Sequence, residues 1–80
     1  MLRSEIEKQL GEIYSLITSK EATNVTEGSN LRTDLALSSI GMLYLIIAIE
    51  QKFNVVFENV SMGDFETVKD VIDFLEKKVN

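Results

Sequence analysis

Leu2, Ile6, Leu10, Ile13 and Ile17 recur at spacings of four, four, three and four, with Glu5, Glu7, Lys8 and Glu12 between them. That period sets the apolar side chains on one face of a helix, so the pattern predicts a first helix over Leu2 to Thr18. Periodicity stops from Ser19 to Asn30, where Ser, Thr, Glu, Asn and one Gly dominate, and a long loop is expected. Near the other end Thr67 precedes Val68, Val71, Ile72, Leu75 and Val79, with Asp70 three residues after the Thr and Lys77-Lys78 in the last turn. A capping box and a basic C-terminal turn predict a helix over Val68 to Lys78. Between Phe57 and Glu66, Val60, Met62 and Phe65 are interleaved with Asn, Ser, Gly and Asp, enough for a minor helix of one or two turns.

The segment Ser38 to Asn54 carries apolar residues on two arcs rather than one. At about 100° per residue, Met42, Leu45, Ile46, Ile49 and Phe53 share the arc expected to face the core. Ile40, Leu43 and Ile47, with Tyr44 and Gln51 beside them, share a second arc that points elsewhere. A strand is disfavoured because the segment is long, does not alternate, and contains Ala, Met, Leu, Glu and Gln. So small a bundle lacks the interior to bury both arcs, so the second is expected at the surface, where an exposed apolar stripe suits a partner. The fold class that follows is all-α: a small four-helix bundle of three main helices and one short one, with a long loop between the first and second helices.

Composition narrows the function. Eighty residues, 45% of them hydrophobic and 26% charged, suit a single folded domain spanning 1–80. Eight Lys plus Arg against thirteen Asp plus Glu give a formal net charge of −5, which repels phosphate backbones and anionic lipid heads. Nucleic-acid binding is therefore not expected. The most apolar run, Ile40 to Ile49, is too short for the roughly 20 residues that span a bilayer, so membrane insertion is not expected either. The N-terminal residues alternate charge with apolar side chains, unlike a signal peptide, and the expectation is a cytoplasmic monomer. With no Cys and no His, thiolate or imidazole metal sites, Cys nucleophiles and Ser-His relays are all excluded. No metal site and no catalytic residues are assigned, and the chain is expected not to be an enzyme.

The stretch Leu31-Arg32-Thr33-Asp34-Leu35-Ala36-Leu37-Ser38-Ser39-Ile40 resembles the segment of acyl carrier proteins that ends in their Asp-Ser-Leu signature. The resemblance continues without a gap through Leu45, Ala48-Ile49-Glu50, Phe53, Val55, Phe57, Phe65, Thr67-Val68, Ile72 and Phe74. Residues alone would make Ser39 no more than a helix cap. The resemblance implies instead that Ser39 carries a 4′-phosphopantetheine arm with a thioester-bound acyl group; with two adjacent serines, Ser38 can cap the helix while Ser39 presents its hydroxyl. The position at a helix start agrees, because unpaired backbone N–H groups there favour a phosphate. The implied partners are a phosphopantetheinyl transferase and acyl-loading, acyl-transfer or condensing enzymes, as in fatty acid or polyketide biosynthesis.

Three positions depart from the family pattern. Ser38 replaces the aspartate before the signature serine, and Gly41 and Tyr44 occupy positions that are usually acidic. From Ser38 to Asn54 the only charges are Glu50 and Lys52. Docking is therefore expected on Ser38, Ile40, Leu43, Tyr44 and Ile47, an apolar rather than acidic face. The expectation is a specialised, freestanding carrier of a dedicated pathway, with an aminoacyl or polyketide unit among the candidate cargoes. The alternative is an unmodified carrier-like module that acts through protein interaction alone.

Overall fold

A computed structural model describes residues 1–19, 25–58 and 62–79. The described chain is all-helical: α1 spans Arg3–Thr18, α2 Ser39–Phe53 and α3 Val68–Val79. Three α-helices and a single 3₁₀ turn, Met62–Asp64, stand where three main helices and one short helix were expected. Among the described residues the short element is thus one turn and not an α-helix, as befits a stretch broken by Gly63 and Asp64. Val60, expected in that element, lies outside the described residues.

Each helix starts and stops for local reasons. The Leu2 backbone N–H donates to Glu5 Oε1 at 2.9 Å, which is half of a capping box; Leu2 has no polar side chain to return the bond. Helix α1 ends at Ser19 in the left-handed conformation, its N–H donating to the Ser15 carbonyl. Helix α2 ends the same way at Asn54, a residue type that tolerates positive φ. For α3 the box is complete. Asp70 Oδ2 accepts from the N–H groups of Glu66 and Thr67 at 2.9 and 3.1 Å, while Asp70 N–H approaches Thr67 Oγ1 at 3.4 Å.

The inward arc of α2 is buried as expected at Met42, Leu45, Ile49 and Phe53, whereas Ile46 is only half-buried. These residues pack with Ile6, Leu10 and Ile13 of α1 and with Val68, Val71, Ile72 and Leu75 of α3 in one hydrophobic cluster. The α1–α2 connection contributes Leu31, Leu35 and Leu37 to the same core.

Where described, that long loop is bound down rather than featureless. Asn30 Oδ1 accepts from the N–H groups of Arg32 and Thr33, and Asp34 Oδ2 accepts from Asn30 N–H, closing a tight turn. An isolated antiparallel bridge pairs Asn30 with Thr67. Around it Leu31 N–H donates to the Glu66 carbonyl, Val68 N–H to the Ser29 carbonyl and Lys69 N–H to the Glu27 carbonyl. The loop is therefore laced to the start of α3, and it delivers the chain to α2 at a set position.

Candidate functional site at the start of helix α2

The approach to α2 is built from buried leucines. Leu35 and Leu37 turn inward on either side of Ala36, which takes a left-handed φ of 56°, and Leu37 N–H donates back to the Leu31 carbonyl at 3.0 Å. Tyr14 of α1 donates its hydroxyl to the Leu35 carbonyl at 3.3 Å, tying the approach to the first helix. Two residues beyond Leu35's neighbour the chain breaks the surface at Ser38 and Ser39, both exposed.

The two serines are placed differently. Ser38 is the N-cap: its backbone is extended, its Oγ accepts from Gly41 N–H at 3.1 Å, and its carbonyl accepts from Met42 N–H at 2.8 Å. Ser39 is the first helical residue, and its hydroxyl has no hydrogen-bond partner among the described residues. The backbone N–H groups of Ser39 and Ile40 precede any carbonyl of their own helix, so they are donors aimed outward beside the Ser39 side chain. No acidic residue occupies the first turn. A phosphodiester on Ser39 fits this setting: exposed hydroxyl, unspent N–H donors, the positive end of a helix dipole and no carboxylate in that turn to repel it.

Gly41, a departure from the family pattern, has a packing role in the structure. A Cβ there would lie 3.3 Å from Leu37 Cδ2 and 3.6 Å from Ser38 Oγ. Bare backbone at this position lets Leu37 close against the first turn while Ser38 caps it. The signal in the sequence was a glycine three residues after a capping serine, in a turn where alanine would be the better helix former.

The remaining candidates lie on one side of α2. Ile40, Leu43, Tyr44 and Ile47 are 66%, 49%, 57% and 42% exposed, against 8% or less for the inward residues Met42, Leu45, Ile49 and Phe53. At 1.5 Å per residue they form a stripe running about 12 Å from Ser39 along the helix axis. The only charges on α2, Glu50 and Lys52, lie in its C-terminal part, beyond the end of this stripe. Glu50 Oε2 is engaged in accepting from Phe57 N–H at 2.9 Å.

The family model of the phosphopantetheine attachment site matches residues 2–75. The chain belongs to the acyl carrier protein family. It is 32% identical over 79 residues to the acyl carrier protein of Coprothermobacter proteolyticus, covering 99% of this chain and 96% of that protein. It is 33% identical to the acyl carrier protein of Thermobifida fusca, over 91% of this chain and 92% of the relative. A third similar protein is the acyl carrier protein of Phytoplasma australiense, 33% identical over 76% of this chain and 80% of its own. Acyl carrier proteins are carriers and not catalysts, their prosthetic group is phosphopantetheine, and they are handled by phosphopantetheinyl transferases and acyl-processing enzymes. Among the described residues, no helix of this carrier is long and apolar enough to cross a membrane.

Proposed function

We propose that this chain, as one carrier domain over residues 1–80, bears 4′-phosphopantetheine on Ser39 and shuttles a thioester-bound acyl group between enzymes of a dedicated pathway in the cytoplasm, as a monomer. The observation that carries the reading is the division of labour at the start of α2. Ser38 takes the capping bond and leaves the neighbouring Ser39 hydroxyl exposed and unengaged, beside free backbone donors.

The modification is a phosphoryl transfer from coenzyme A. A bond forms from Ser39 Oγ to the phosphorus bearing the pantetheine, the pyrophosphate P–O bond breaks, and adenosine 3′,5′-bisphosphate leaves. The serine proton passes to a base of the transferase, since this chain has no His or Cys to receive it. Once attached, the arm supplies the thiol that the sequence lacks. The stripe of Ile40, Leu43, Tyr44 and Ile47, with Ser38 at its head, is the face we assign to partner docking. Its apolar character supports a specialised carrier, because a partner with a basic patch would find no acidic residue along it.

The test is incubation of the unmodified protein with coenzyme A and a permissive phosphopantetheinyl transferase, followed by intact-mass measurement and peptide mapping. One phosphopantetheinyl group on Ser39, and none on Ser39→Ala, is the expected result. Labelling of Ser39→Ala as strong as the parent's would place the arm elsewhere. If neither form is labelled by any transferase, including the host's own, the unmodified interaction module replaces this reading.

A further inference from the structure

Attachment requires the Ser39 hydroxyl in line with a phosphorus of coenzyme A, and misplacing a reacting group by about 1 Å costs up to roughly a hundredfold in rate. What fixes Ser39 in space is therefore part of the reaction. Only Ala36, Leu37 and Ser38 separate Leu35 from Ser39, so whatever holds the Leu35 to Leu37 segment sets where the serine stands. At Ala36 the backbone takes a φ of 56°, a left-handed conformation that is sparsely populated for a residue with a Cβ and persists only where its surroundings impose it. Ala36 is itself exposed, so its neighbours do the imposing.

The turn is tied on both sides. Downstream, Leu37 is buried, its N–H donates to the Leu31 carbonyl at 3.0 Å, and its side chain lies against Gly41 in the first turn of α2. Upstream, the Leu35 carbonyl accepts from the Tyr14 hydroxyl at 3.3 Å. Tyr14 is buried in the cluster that α1 shares with α2 and α3, and the turn of α1 that follows it is held by Thr18 Oγ1, which donates back to the Tyr14 carbonyl at 2.8 Å. Packing accounts for the ring, and phenylalanine would bury as much apolar surface there. The hydroxyl is the part that packing does not need, and it is spent on the carbonyl immediately before the left-handed residue.

Resting on the attachment reading above, we infer that Tyr14 is a positioning residue for the modification of Ser39. Its hydroxyl holds the Leu35 carbonyl, which confines the turn at Ala36 and so fixes the orientation in which the start of α2 presents Ser39 to the transferase. Tyr14 touches none of the reacting atoms. Buried on α1, it is no part of the exposed α2 stripe assigned to docking, so its effect falls on the step after the transferase has bound.

The experiment is single-turnover labelling of the full chain by excess phosphopantetheinyl transferase with saturating coenzyme A, run well below the melting temperature over a series of transferase concentrations. The limiting rate then reports the chemical step, and the half-saturating concentration reports docking. Tyr14→Phe is expected to lower the limiting rate roughly three- to tenfold, the range set by losing one neutral hydrogen bond, at an unchanged half-saturating concentration. Replacing Tyr14 by 4-aminophenylalanine, a weaker donor in the same place, should recover part of that rate, and it takes the place of Tyr14→Phe if that variant does not fold. Amide hydrogen exchange is followed alongside. Leu37 is expected to exchange faster than in the parent while Leu75 of α3 changes less, because a purely global loss of stability speeds both alike. A limiting rate equal to the parent's overturns the inference, as does a change confined to the half-saturating concentration or an equal acceleration of Leu37 and Leu75. Failure of the parent itself to gain mass at Ser39 is a separate outcome: it overturns the attachment reading and this inference with it.

Discussion

At residue scale, Ser38 and Ser39 are chemically alike and differ only by one position in a helix start. Ser38 has the extended backbone from which Oγ reaches the N–H three residues on, and Ser39, already helical, does not. Losing an N-cap hydroxyl costs about 1 kcal/mol, with a range of roughly 0.5–2. Ser38→Ala is therefore expected to lower the free energy of unfolding by that much, read as a lower urea midpoint with an unchanged slope, while Ser39 is still labelled. Unaltered stability in Ser38→Ala would mean that the cap contributes nothing in solution. Gly41 belongs to the same arrangement. Alanine there would gain helix propensity, but it would press on Leu37, a buried residue with little room to yield.

At the scale of the element, α2 is apolar on two faces, and burial separates them: one faces α1 and α3, the other faces solvent. Contact through the outer face buries apolar surface, which salt hardly weakens, whereas charge pairing is screened within a Debye length of about 8–10 Å. Affinity for the cognate transferase or acyl-loading enzyme is thus expected to be salt-tolerant. Leu43→Asp and Ile47→Asp should each weaken binding several-fold or more, since a buried aliphatic side chain is worth roughly 1.5–3 kcal/mol. Folding should be nearly intact in both, because these side chains are 49% and 42% exposed in the parent. A salt titration of binding with both variants beside the parent decides it. Affinity that collapses with added salt, or variants that bind like the parent, would move docking to acidic residues elsewhere, such as Asp34, Glu50 or Glu58.

Across the whole molecule, one side chain joins three parts of the chain. Arg3 Nη2 contacts Glu27 Oε1 of the loop at 2.6 Å, and Arg3 Nη1 contacts Asp73 Oδ1 and Glu76 Oε1 of α3 at 2.7 and 2.9 Å. Lys69 joins through Asp73 Oδ2 at 2.8 Å. Single exposed ion pairs contribute little, but a guanidinium shared among carboxylates of two other segments also fixes their arrangement. The carboxyl of Asp73 is held below the usual carboxylate range, chiefly by Lys69 and then by Arg3. That of Asp70 is lowered by the N–H groups of Glu66 and Thr67 at the α3 cap. Both are depressed in the folded state, so their contribution is fully present above the unfolded value of about 4 and is lost as pH falls through the lower folded values. Arg3→Ala is expected to melt below the parent at neutral pH and low salt. The gap should narrow in high salt and again as the acid limb is entered. Melting curves over pH and salt test this, and a gap that is constant throughout would reduce Arg3 to packing alone.

Helix positions were legible in the sequence because they depend on neighbours three and four residues away. The apolar period of α1, the Thr67–Asp70 box of α3 and the two arcs of α2 are all local patterns, and the structure ends each helix within a residue or two of where they point. The spacing of Leu31 to Ile40 and the motifs beyond it likewise carried the family. What local pattern could not reveal depends on contacts between distant segments. The loop is ordered by bonds from Glu27, Ser29 and Leu31 to the start of α3, and nothing in its polar composition announces a partner some 40 residues away. The role of Gly41 needs Leu37 and Ser38 folded against it, and Arg3 looks like any charged residue of a helix start until Glu27, Asp73 and Glu76 converge on it. Nor does periodicity, which says which way a side chain faces, say how closely the opposing faces approach. The ring contacts of Phe57 with Phe65 and Phe74, at 5.5 and 4.5 Å between centroids, are matters of that approach, set only when the helices pack.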